Sequence, residues 1–121
     1  MTLEQFLNSL QQADKLKAVQ FQDTINVIDQ NYNFTPCAFQ NGSQHNAAGQ
    51  NNGSCKILAF ALLNHLTVEQ TLNCFGEYYR KDVLQHPDKD DHQNIRNLIT
   101  HGLKGLQFEG NALSLKSEVD R

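Results

Sequence analysis

The stretch Gly49-Gln-Asn-Asn-Gly-Ser-Cys-Lys56 sets a thiol among small and polar residues, just where an apolar run begins. That run, Ile57–Leu66, reads as a helix, so Cys55 stands one or two residues inside its N-terminus. The helix dipole there favours a thiolate, and Lys56 adds positive charge. Backbone amides near Ser54–Lys56 are placed to receive an oxyanion. A thiol nucleophile also needs a base. His92, in Asp90-Asp-His-Gln-Asn94, is the candidate, with Asp91 as the group that orients its ring. These residues describe a cysteine-dependent hydrolase or transferase: Cys55 nucleophile, His92 base, Asp91 orienter. A plainer reading stands beside it. Free cysteine usually packs as a small hydrophobe, and Asp90 and Asp91 equally suit a helix cap with His92 solvated in the first turn.

The loop before the thiol carries a second kind of chemistry. Gln40–Gly53 holds four Asn and three Gly and shows no hydrophobic period. Long aperiodic loops in small domains are often functional. Neutral hydrogen-bonding groups dominate here, which suits a small polar ligand. The candidate contacts are Asn46, Gly49, Gln50, Asn51, Gly53, Ser54 and Lys56. The stretch is not a phosphate loop, because the glycines are too close and no Ser or Thr follows the lysine. Gln50, Gly53, Ser54, Cys55 and Ala59-Phe-Ala61 resemble, locally, the nucleophile segment of papain-like proteases. Lys56 departs from that pattern, which has an aromatic residue after the cysteine. No two histidines lie four apart and no Cys/His pair has finger spacing, so neither metal nor cofactor is expected. Tyr78-Tyr-Arg80 and Arg96 could form a recognition surface, but helical spacing assigns the tyrosines to a core, with Arg80 reaching to solvent.

Composition narrows the class. The chain has 121 residues, 39% of them hydrophobic, and a formal net charge of −3. That length suits one domain with one core. No Lys/Arg cluster exists to displace phosphate counterions, so nucleic acid is not an expected partner. Three widely spaced cysteines are not a disulfide framework. Met1–Gln12 lacks the basic and apolar regions of a secretory signal, and Ile57–Leu63 is too short to span a membrane.

The elements that must position these groups are mostly helical. Thr2 with Gln5 forms a capping box before Leu3, Phe6, Leu7 and Leu10. Gln11–Lys17 is polar and ends that element. A helix over Phe21–Tyr32 presents Phe21, Ile25, Ile28 and Tyr32 on one face, and Asn31-Tyr-Asn33 stops it with a turn. Phe34–Phe39, with its proline, reads as an extended edge segment. The central helix, Ser54–Leu66, is apolar on most sides and so is expected to be buried. Thr67 and Gln70 make a second capping box for a long helix that Gly76 loosens and Pro87 ends. Asp90 or Asp91 caps the last helix, and Gly102 closes it. Leu106–Phe108 and Ala112–Leu115 read as a hairpin turned at Gly110-Asn111. The expected fold is therefore α+β: one mainly helical domain over residues 1–115 with a small antiparallel sheet near the C-terminus, and a frayed tail over 116–121.

Six blocks, in order, resemble the HopJ type III effector family. They are Phe21-Gln-Asp-Thr-Ile25, Tyr32-Asn-Phe-Thr-Pro36, Asn46-Ala-Ala-Gly-Gln50, Gly53-Ser-Cys-Lys56, Cys74-Phe-Gly-Glu-Tyr-Tyr-Arg80 and His92-Gln-Asn-Ile-Arg96. The resemblance covers about residues 1–115. It implies a bacterial protein of the cytoplasm with type III secretion into a host cell as its route, and it carries no established catalytic residues. The combined expectation is a small binding or effector module acting through residues 40–56 on a protein or a small polar ligand, with no membrane partner and the oligomeric state open.

Overall fold

The computed structural model describes residues 1–116. The expected tail therefore lies outside the described residues, apart from Lys116.

Helix α1 spans Leu3–Ser9, and its Thr2/Gln5 capping box forms as read. The polar stretch after it is not plain loop. It contains a short helix, α2 (Ala13–Leu16), because Leu16 turns inward and is buried. Helix α3 spans Phe21–Asn31 and passes straight into strand β1, Tyr32–Phe34. No left-handed turn separates them. Tyr32 is already extended, at φ −129° and ψ 151°, and Asn31 spends its side chain on the Val27 carbonyl.

Strand β2 (Phe39–Asn41) and strand β3 (Gln44–Asn46) form an antiparallel hairpin. The first half of the expected loop is thus a built element. Gly42 supplies the positive φ, +58°, that its two-residue turn requires. A Cβ at Gly42 would lie 2.2 Å from the His101 ring, so the turn is also packed.

Helix α4 spans Asn52–Leu63 and is the centre of the molecule. Ile57, Leu58, Phe60 and Ala61 are wholly buried, each large side chain worth about 1.5–3 kcal/mol of transfer free energy. Phe60 packs against Phe6 and Tyr32 at centroid distances of 6.0 and 5.9 Å. Helix α5 spans Val68–Cys74, with its capping box at Thr67 and Gln70 formed. It stops sooner than expected. Gly76 has φ +59°, and a Cβ there would sit 2.3 Å from the Phe21 nitrogen. The chain needs glycine at that crossing, so Gly76 breaks the helix rather than loosening it. A π-helical turn over Tyr78–Val83 follows. Arg80 is not a solvent-reaching side chain but donates to Asn73 Oδ1 and the Val19 carbonyl.

Helix α6 spans Gln93–His101, and Gly102 ends it at φ +70°. Neither Asp90 nor Asp91 caps it. The N-cap is His92, in the left-handed conformation at φ 50° and without a side-chain cap bond. A 3₁₀ turn (Leu103–Gly105) leads to β4 (Leu106–Phe108), and β5 is Leu113–Leu115. These last strands do not pair with each other. Strand β4 pairs with β2, and β5 pairs with β1. The two ladders keep one register, since Thr35 N–H reaches Ala112 O and Glu109 N–H reaches Ala38 O between them. The two ends of the expected edge segment, Phe34 and Phe39, pair with the C-terminal strands, as one interrupted antiparallel ribbon. The fold is α+β.

Candidate functional site

Where the hairpin, α4 and α6 meet, a cavity of about 440 Å³ opens. The start of α4 contributes Asn51, Gly53 and Ser54, and the start of α6 contributes His92, Gln93, Asn94 and Ile95. Gln44 on β3 and the aromatic side chains of Phe21, Phe75 and Tyr78 complete it. Phe21 meets Tyr78 edge-on at 4.9 Å, and the Tyr78 ring lies 5.3 Å from that of His92. The aromatic wall is fixed from behind, because Phe21 N–H donates to Glu77 Oε1 at 2.9 Å. That bond holds the Glu77 carboxyl below the usual glutamate range.

Behind the polar wall is a buried asparagine network. Asn46 Oδ1 accepts from Asn51 Nδ2 at 2.7 Å and from Asn94 Nδ2 at 2.9 Å. Asn94 Oδ1 accepts from Asn41 and Asn46 at 3.0 and 3.2 Å. Asn41 and Asn46 are fully buried. Four carboxamides thus lock the hairpin to the starts of both helices. Burying such groups is tolerable because they satisfy one another at nearly every polar atom; among the described residues Asn41 Oδ1 is the buried side-chain oxygen without a partner.

His92 is the histidine that lines the cavity. Its Nε2 lies 3.0 Å from Asp82 Oδ2. A carboxylate only accepts, so Nε2–H is the donor in this pair. Among the described residues, three non-glycine residues have positive φ, and two of them, Asn51 and His92, stand at this cavity. Such conformations cost about 1–2 kcal/mol each and cluster at functional sites.

The expected residues divide. Asn51, Gly53, Ser54 and His92 come together at the cavity. Asn46 serves from behind through the network. Gly49 and Gln50 are exposed in the turn before α4, where Gln50 bonds to Ala47. Lys56 points elsewhere, to Asp29 at 2.8 Å and over the Phe34 ring at 5.1 Å. Asp91 is not the orienter of His92. Its Oδ2 stands 3.9 Å from His92 Nε2, while Oδ1 is held by Arg96 at 2.7 Å. Arg96 holds the Asp91 carboxyl below its ordinary range.

Cys55 differs most from expectation. Helix α4 starts at Asn52, so the thiol sits a full turn in and its own N–H bonds to Asn51 O. The side chain is 1% exposed and does not line the cavity. Its Sγ contacts the Cys37 carbonyl at 3.8 Å. Burial pushes this thiol up to about 11, the opposite of a tuned thiolate. The sequence reading missed Asp82, Gln44, Asn94 and the aromatic wall. One usable signal was present, the Gly42-Ser43 pair, since glycine at the first position of a two-residue loop marks a hairpin.

Fold and cavity together define a small α+β domain whose polar pocket is lined by an aromatic wall and by His92. The family model described as HopJ type III effector protein matches residues 3–113, and the chain belongs to that family. Among solved structures, the crystal structure of unknown function protein VPA0580 is 53% identical in sequence, with a TM-score of 0.92 over 96% of this chain and 95% of that chain. No curated protein matches the sequence. Among the described residues, no helix is long and apolar enough to cross a membrane.

Proposed function

We propose that the chain is a binding module of the effector type whose site is the cavity between α4 and α6, and whose ligand is small and polar. The observation that carries this reading is the convergence of Asn51, Ser54, Gln93 and His92 on one aromatic-walled cavity. Carboxamides, a hydroxyl and an imidazole give directional recognition, and the rings give contact area, the usual division in small-ligand sites. The asparagine network preorganises the polar wall and so lowers the ordering cost of binding. No thiol chemistry belongs to this site. The family name adds type III delivery to the proposal, testable by translocation of a reporter fused to the chain.

The binding test is a thermal-shift screen against amino acids, nucleosides, sugars and their phosphates. A bound compound at one hundred times its Kd stabilises the native chain by about 2.7 kcal/mol. The expected result is a compound class that raises the melting temperature of the wild type but not of Ser54→Phe, which fills the cavity mouth. Equal shifts in both proteins would place binding elsewhere.

A further inference from the structure

We propose that Cys37 and Cys55 form a reversible intramolecular disulfide when the protein meets a peroxide. The two residues come from separate elements. Cys37 lies in the connection between β1 and β2 and is partly exposed, and Cys55 is buried in the first turns of α4. Cys55 Sγ lies 3.8 Å from the Cys37 carbonyl oxygen, so the buried thiol is in contact with the Cys37 residue itself. Cys37 Sγ is otherwise engaged only weakly, with the Gly110 carbonyl at 3.8 Å. The contact holds the two residues as neighbours, and proximity is the first requirement of a disulfide. Cys74, on α5, is buried beside Thr24, whose hydroxyl donates to the Cys74 carbonyl at 2.8 Å.

The chemistry assigns each thiol a role. Cys37 is the reachable one, and its thiolate attacks a peroxide oxygen. The O–O bond breaks, Cys37 becomes a sulfenic acid, and water leaves with the thiol proton. Cys55 sulfur then attacks the Cys37 sulfur. The S–S bond forms as the S–O bond breaks, and the Cys55 proton leaves with the hydroxyl as a second water. Two thiols are oxidised by two electrons and one peroxide is reduced to two waters. A thiol reductant reverses the bond by exchange. The closed loop contains Gln44, Asn51, Gly53 and Ser54, four residues that line the cavity. Oxidation would therefore tie down one whole side of the candidate site. That consequence rests on the binding reading above, whereas the disulfide itself does not.

The test treats the native wild-type chain with hydrogen peroxide, blocks remaining thiols with N-ethylmaleimide under denaturing conditions, and maps peptides by mass without reduction. The expected result is a Cys37–Cys55 linked peptide with Cys74 alkylated. The link survives in Cys74→Ser, is absent in Cys37→Ser and is removed by dithiothreitol. Two results would overturn the proposal: Cys37 oxidised to sulfinic acid with Cys55 still alkylated, or crosslinks found only between chains.

Discussion

Cys55 shows how far residue type and position can mislead. Glycine, serine and lysine around a cysteine at the start of an apolar helix describe a nucleophile. The depth of that cysteine in the helix, and the face it occupies, decide otherwise. Both depend on where the helix begins, and a sequence fixes helix ends poorly. Burial raises the Cys55 thiol to about 11 and the Cys74 thiol to about 12, from an ordinary value of 9.0. Iodoacetamide at neutral pH is therefore expected to modify Cys37 in the native chain and to leave Cys55 intact. Fast alkylation of Cys55 would restore the thiolate reading. The same groups set an alkaline limit. The unfolded thiols ionise near 9, while the folded ones stay neutral to about 11 or 12. Stability present below pH 9 is then lost as pH rises through that window. Denaturant melts across this range should show the decline, and Cys74→Ala should flatten it. An unchanged slope in that variant would contradict the assignment.

At the scale of elements, periodicity recovered the helices whose inward faces are aliphatic. Both Thr/Gln capping boxes formed where read, because that motif is local. The β2–β3 hairpin was not legible, for a physical reason. Its buried positions include Asn41 and Asn46, so its inward face looks polar in a hydrophobic pattern. Only the Gly42-Ser43 turn hinted at it. Asp82 was equally hidden, since a π-helical turn and a left-handed His92 bring together two residues that no helical period relates. The asparagine network makes a stability prediction. Asn94→Ala removes the shared side-chain partner of Asn41 and Asn46 and leaves each amide one bond short, with only the Asn94 and Phe39 backbone carbonyls still accepting from them, at a cost of about 1–3 kcal/mol. Urea unfolding should show this loss, and a change below about 0.5 kcal/mol would mean the network is slack. The crossing at Gly76 makes another. Gly76→Ala forces a left-handed alanine against the Phe21 backbone, and the melt should lose more than about 2 kcal/mol. Wild-type stability in that variant would show that the π-helical turn can move aside.

The whole molecule places one buried helix at its centre and gathers its polar specialisation where α4 begins. The hairpin, the π-helical turn and α6 all close on that point. The loop that looked aperiodic is half hairpin and half turn, and its asparagines lock the hairpin to the starts of α4 and α6. The central claim is that ligand recognition occurs there. Titration of the ¹⁵N-labelled chain with a thermal-shift hit, followed by amide NMR, tests it directly. The expected shifts cluster at Asn51, Gly53, Ser54, Tyr78, Gln93 and Asn94. Shifts centred instead on the exposed apolar residues Leu84 and Ile99, or on Leu62 and Leu63, with the cavity amides unmoved, would contradict the account.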